Sequence, residues 1–126
     1  MKRFWIGGAL LLAILAAGLW TGKRMEKIHT DVVDRLRDCG QAAQEQRWEQ
    51  AEAAVREAKE RWEAGWTFSA ALSDHTALEE IDGDFGELQV YLKNRDALRS
   101  AALCAKLAQM VDAVQESHRL TWRNLL

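Results

Sequence analysis

The sequence predicts an all-α protein in which one N-terminal transmembrane helix is followed by a small antiparallel bundle of three to four helices. The chain of 126 residues has no proline, and good helix formers such as Ala, Glu, Gln, Arg and Leu dominate after residue 22. Runs of β-branched residues that would indicate strands are absent. About a hundred residues remain after the apolar N-terminus, which is enough for one small helical domain.

The first predicted element is a membrane anchor. Residues 4–20 carry no charge, and the nineteen residues between Arg3 and Lys23 make about 28 Å of helix. This length nearly matches a hydrocarbon core of about 30 Å. Tryptophans stand at both ends of the run, where indoles favour the headgroup level. The predicted anchor residues are Phe4, Trp5, Leu11, Leu15 and Trp20.

The alternative to an anchor is a cleavable signal peptide, because Ala16, Ala17 and Gly18 are small enough for a cleavage site. The apolar run nevertheless continues through Trp20 and ends at a basic pair, as a stop-transfer sequence does. We therefore expect an uncleaved anchor over residues 1–24 and a helical bundle over residues 25–126.

The orientation in the cell membrane follows from the basic residues at the two ends of the anchor. Lys2 and Arg3 favour a cytoplasmic N-terminus by the positive-inside rule, whereas Lys23, Arg24 and Lys27 favour the opposite arrangement. A short basic tail at the extreme N-terminus usually prevails. We expect a single-pass protein whose soluble domain is extracytoplasmic.

One face of the anchor carries small residues at helical spacing, Ala9, Ala13 and Ala17. Small residues allow two membrane helices to approach closely, so this face is a candidate for self-association. The alternative is that these alanines have no role in association, because alanine is common in membrane helices.

Apolar residues spaced by three and four predict the bundle helices. We expect the first stripe to continue the anchor as one rod to about Gln44, with Gly22 and Gly40 as weak points. The second follows a predicted turn at residues 44–47, the third is expected after Ser73 and Asp74, and the fourth begins with Asp96 as its cap. The stripes are Met25, Ile28, Val32, Leu36, Cys39 and Ala43; Trp48, Ala51, Val55, Ala58, Trp62 and Trp66; Leu78, Ile81, Phe85, Leu88 and Leu92; and Leu103, Leu107, Met110, Val111 and Val114.

Charge and cysteine content exclude several functions. The chain has a net charge of −2, and without Lys2 and Arg3 there remain 15 basic against 19 acidic residues, a net charge of −4. An acidic domain is a poor nucleic-acid binder, so no such partner is expected. Cys39 and Cys104 form no C-x-x-C motif. They are interpreted as two small buried residues, with an interhelical disulfide as the alternative if the domain lies outside the cytoplasm.

The most unusual stretch is acidic and runs from residue 63 to residue 92 without a lysine or an arginine. His75, Glu79 and Asp82 share a helix face within it and are a weak candidate for a divalent metal site. The favoured alternative is a solvated acidic face, which could also dock a partner. The segment beginning at Asp82 fails the calcium-loop pattern, and no cofactor is expected.

The tryptophans admit two interpretations. Core packing is favoured, and the alternative is that Trp62 or Trp66 is exposed as an interface residue. Together with His75, Glu79 and Asp82, these two residues are the candidate interaction residues. No nucleophile lies in a recognisable catalytic motif and no phosphate-binding loop is present, so we do not expect an enzyme.

The whole chain resembles domain-of-unknown-function family 4363. The resemblance rests on the segments 1–5, 48–51, 78–82 and 124–126, and on Trp62 ahead of His75. It implies a short bacterial protein with an N-terminal membrane segment, a helical remainder and no known enzymatic activity. We accordingly expect an accessory or scaffold protein that docks a membrane or envelope partner. The alternative is an extracytoplasmic ligand- or cation-binding sensor that uses the acidic helix face.

Overall fold

The computed structural model describes the backbone of residues 2–72 and 75–125, and the side chains of residues 2–65, 76–117 and 120. The described backbone forms four α-helices and contains no strand. They are α1 (Lys2–Gln44), α2 (Trp48–Leu72), α3 (His75–Lys93) and α4 (Ala97–Leu125). The predicted all-α fold, with a long N-terminal apolar helix followed by a helical bundle, is confirmed.

The helices form an up-and-down bundle. Helix α1 packs against α2 and α4, and α3 packs against the same two helices. Consecutive helices are antiparallel because short connections join them. This order places α1 and α3 at opposite corners, so the first and last helices of the chain are neighbours.

The predicted apolar stripes supply the core. Every predicted residue of the α3 stripe is buried, and so are Ala51, Val55, Ala58 and Trp62 of α2. Met25, Val32, Leu36, Cys39 and Ala43 of α1 are buried as well, while Ile28 packs against the core from a half-buried position. Burying one large apolar side chain stabilises a fold by about 1.5–3 kcal/mol, so this shared core holds the helices together.

Helix α1 runs without interruption from the apolar segment into the bundle. Its first buried residue is Met25, and neither Gly22 nor Gly40 breaks the helix. The predicted continuous rod is therefore confirmed. The exposed and the packed parts of α1 share one backbone hydrogen-bond ladder, which fixes the axis of the bundle to the axis of the apolar helix.

The first and third helices end in the same way. Gln46 and Arg95 have positive φ angles of 60° and 55°. Each lies in a pair of backbone hydrogen bonds that satisfies the last carbonyls of its helix, for example from the Arg47 amide to the Ala42 carbonyl at 2.8 Å. Asp96 then accepts a hydrogen bond from the Arg99 amide at 3.1 Å, which confirms it as the predicted cap of α4.

Candidate functional site

In the N-terminal part of α1, every residue from Lys2 to Leu15 is exposed. All five predicted anchor residues, Phe4, Trp5, Leu11, Leu15 and Trp20, have exposed side chains. This is one helix that is long and apolar enough to span a membrane. An exposed apolar surface of this size is unfavourable in water, so lipid or protein has to cover it.

A basic and aromatic collar follows the apolar segment. The Arg24 guanidinium stacks over the Trp20 ring at 5.5 Å, and the Thr21 hydroxyl donates a hydrogen bond to the Ala17 carbonyl at 2.8 Å. The hydrogen bond to the Ala17 carbonyl gives the Thr21 hydroxyl an acceptor that it would otherwise lack in an apolar medium without water. Both contacts suit the boundary between an apolar phase and water.

The small residues on the apolar helix face outward. Ala9, Ala13 and Ala17 are exposed, and a side chain added at Gly7 or Gly8 would meet nothing within 4 Å. The face is free to meet a second helix, but self-association through it stays a prediction.

Trp62 lies in the core and not on the surface, with 1% of its area exposed. Its ring packs beside the buried His29 with 6.0 Å between centroids, and its indole nitrogen donates to Asp82 Oδ1 at 3.1 Å. The exposed-interface alternative is wrong for Trp62, because its ring completes the core between α1, α2 and α3. The side chain of Trp66 lies outside the described residues.

The metal-site candidates are only partly described. Glu79 and Asp82 are exposed on α3, and one carboxylate oxygen of Asp82 accepts the indole hydrogen bond. The side chain of His75 lies outside the described residues. Among the described side chains, no group of three or more His, Cys, Asp or Glu is placed to hold a metal ion. The metal site therefore stays a prediction.

The acidic run on α3 divides between two environments. Asp84 points into the bundle, is 8% exposed, and lies 3.3 Å from the ammonium of Lys106 in α4. Glu87 accepts a hydrogen bond from the Tyr91 hydroxyl at 2.5 Å, which raises the pKa of Tyr91. Glu79 and Glu80 are exposed and form no ion pair with any described side chain. We call Glu79, Glu80 and Glu87 the acidic surface.

An open groove of about 290 Å³ lies between α2 and α3. Its walls are Glu52, Val55, Arg56, Gln89, Leu92 and Lys93. These side chains include charges of both signs but no serine, cysteine or histidine, so the groove lacks the common partners for nucleophilic catalysis.

The two cysteines lie at the contact between α1 and α4. Both are buried and unbridged, as expected for small buried residues, and Cys104 packs against Gly40, the residue that follows Cys39. The contact is close because Gly40 has no side chain. A Cβ atom at Gly40 would lie 3.3 Å from the Cβ atom of Cys104.

Among the described side chains, three polar residues lie in the bundle interior although the sequence pattern did not predict it. His29, Asp84 and Ser100 are buried. Each had a signal in the sequence, because each is spaced by three or four from a predicted core residue: His29 from Val32, Asp84 from Ile81, and Ser100 from Leu103. The spacing was not recognised because the predicted stripes were built from apolar residues only.

Comparison with known proteins places this architecture in a family. Residues 19–125 match the family described as "Domain of unknown function (DUF4363)", which covers the collar and the whole bundle. No curated protein and no solved structure gives a significant match. Because the matched region is far more than half of the chain, the protein belongs to the DUF4363 family.

Proposed function

We propose that this protein is a single-pass membrane protein whose bundle, held outside the cytoplasm, docks a membrane or envelope protein as an accessory or scaffold. The observation that carries the proposal is the continuous helix α1, which is exposed and apolar at one end and packed in the bundle at the other. Lipid around the apolar end would orient the bundle relative to the membrane.

A rigid connection between anchor and bundle supports a docking role. The core contacts of α1 with α2 and α4 begin with Met25, one residue after the collar. Ion pairs between Arg35 and Glu57 at 3.1 Å and between Asp31 and Arg61 at 3.4 Å add contacts across α1 and α2. A bundle held in this way presents the same faces to any neighbour in the membrane.

The acidic surface is the face that we propose for docking. Glu79 and Glu80 have no ionic partner among the described side chains, so a basic surface on a partner would gain two charge contacts without breaking existing ones. Asp84 is excluded from this surface because it is buried against Lys106.

The orientation is tested with a reporter fused after Leu126. Alkaline phosphatase is active only outside the cytoplasm, and a fluorescent protein in parallel reports the inside. We expect phosphatase activity, and expect Lys2→Gln with Arg3→Gln to reduce it, since those residues favour the cytoplasmic N-terminus. The matched variant Lys23→Gln with Arg24→Gln should not reduce it. A fluorescent, phosphatase-negative fusion would refute the orientation.

Docking is tested by photocrosslinking in native membranes, with the reactive residue at position 80 and a control at Ala102, which is exposed on α4. We expect position 80 to capture a membrane or envelope protein that position 102 does not. Glu79→Lys with Glu80→Lys should abolish the adduct, whereas Glu49→Lys with Glu52→Lys on α2 should leave it unchanged. Recovery of only this chain, or identical adducts at both positions, would contradict the proposal.

A further inference from the structure

Cys39 of α1 and Cys104 of α4 are both buried where these two helices pack together. They come from the first and last helices, 65 positions apart in the sequence, yet Cys104 packs against Gly40, the residue that follows Cys39. Both residues are almost fully buried, at 0% and 2% exposure. Nothing in the helix stripes required a cysteine on each side of the same helix contact.

The packing around the pair brings the two helix backbones close together. A Cβ atom at Gly40 would stand 3.3 Å from Cys104 Cβ and 3.9 Å from the Ala101 carbonyl oxygen. Ala43 on α1 is small and fully buried. A disulfide needs Cβ atoms about 3.5–4.5 Å apart, which helices can reach only where small residues let them approach.

We propose that Cys39 and Cys104 are a disulfide-forming pair that, when oxidised, ties the membrane-linked helix α1 to α4. The bond would close a ring of the chain that contains the whole of α2 and α3. Constraining the unfolded chain in this way favours the folded bundle. The proposal rests on the proposed outward orientation only for where the bond forms in the cell, since oxidising conditions lie outside the cytoplasm.

The reaction is exchange with a disulfide carrier, either a small molecule such as oxidised glutathione or a protein disulfide. The thiolate of one cysteine attacks the carrier disulfide, and one carrier thiol leaves. The second cysteine then attacks the protein sulfur of the mixed disulfide, the Sγ–Sγ bond forms, and the second carrier thiol leaves. The two cysteines lose two electrons and two protons, and the carrier is reduced to two thiols.

Burial of the two thiols determines whether exchange takes place during folding or in the packed bundle. The hydrogen bond with Cys39 and burial raise the pKa of the Cys104 thiol, so the folded, reduced bundle holds little of the reactive thiolate. Exchange is therefore fast while the bundle folds or opens and slow in the packed state. The same burial protects the bond from reductants once it has formed.

The test is a redox titration of the full chain in detergent micelles, equilibrated with mixtures of reduced and oxidised glutathione after refolding, and repeated in a denaturant that unfolds the bundle. Mass spectrometry quantifies the linked peptide and any glutathione adduct. We expect the folded chain to form the bond with an effective thiol concentration about 10²- to 10³-fold above that of the unfolded chain. By linkage, the bond should raise the folding equilibrium constant by the same factor.

Two controls separate chemistry from folding. Cys39→Ala and Cys104→Ala each keep a small apolar side chain and should fold, which circular dichroism checks, but they should yield only glutathione adducts. A ratio near one between folded and unfolded chains, or glutathione adducts as the main product of the unchanged folded chain, would overturn the proposal. This measurement does not involve the membrane orientation, so its failure and a failure of the topology test are distinguishable.

Discussion

The indole nitrogen of Trp62 in α2 donates a hydrogen bond to the carboxylate of Asp82 in α3 at 3.1 Å. The bond lets a tryptophan that is 1% exposed fill the core while its one polar atom reaches the edge of the bundle. It also links the consecutive helices α2 and α3. The acidic run therefore serves the fold at Asp82 and Asp84, and remains available for contacts at Glu79 and Glu80.

Removing this acceptor should destabilise the bundle. We expect Asp82→Ala to lower the free energy of unfolding by about 1–2 kcal/mol, because the indole N–H loses a charged partner. Asp82→Asn keeps an acceptor oxygen and should cost less than half as much. Urea unfolding of the full chain in mild detergent measures both. Glu80→Ala is the control and should change stability by less than about 0.5 kcal/mol; an equal loss in all three variants would contradict the assigned role.

Replacing a helix glycine by alanine should stabilise the protein at some positions and destabilise it at another. A Cβ atom at Gly83 or Gly86 meets nothing within 4 Å, so alanine at either position should stabilise α3 by about 0.5–1 kcal/mol. At Gly40 the new Cβ would press on Cys104 and separate α1 from α4. We expect Gly40→Ala to destabilise the fold by about 1 kcal/mol, since overpacking exceeds the helix-propensity gain. Thermal unfolding compares the three variants, and a stabilising Gly40→Ala would argue against the close helix contact.

The ion pair between Asp84 and Lys106 should matter more than the pairs on the surface. The Asp84 side chain is 11% exposed, whereas the side chains of Arg35 and Glu57 are 44% and 52% exposed. Lys106→Met would leave a mostly buried carboxylate without its cation, and we expect a loss of about 1–2 kcal/mol after allowing for solvent around the lysine. Arg35→Met should cost at most about 0.5 kcal/mol. Equal losses in a denaturant titration would show that burial of Asp84 has no energetic consequence.

The two positive-φ positions at helix ends should accept glycine. A left-handed conformation is strained for a residue with a side chain, so Gln46→Gly should stabilise the turn by about 0.5–1 kcal/mol. Arg95→Gly should be close to neutral, because it also removes the guanidinium that stacks over Trp48 at 5.9 Å. Unfolding midpoints of the two variants test this difference, which would be absent if the cation–π contact contributed nothing.

Helical periodicity in the sequence determined most of the fold. The stripe from Leu78 to Leu92 is buried at every predicted position, because a three- and four-residue spacing places these side chains on one face wherever the helix packs. The turn at residues 44–47 and the cap at Asp96 were predicted from local chemistry and are present. The apolar run of α1 could also be predicted, since its length and lack of charge are properties of the sequence alone.

Only the tertiary structure decided which side chains meet across helices. Periodicity gives the face of each helix but neither the axial offset nor the neighbour on that face. It therefore could not pair Trp62 with Asp82, Asp84 with Lys106, or Cys39 with Cys104. It also assigned Trp62 two alternatives, because exposure depends on the packing of α1 and α3 around it. The sequence by itself determined an all-α bundle of three to four helices, their inward faces and an apolar extension of the first. Packing in three dimensions decided the polar contacts and the thiol pair, because these depend on distances between residues far apart in the chain.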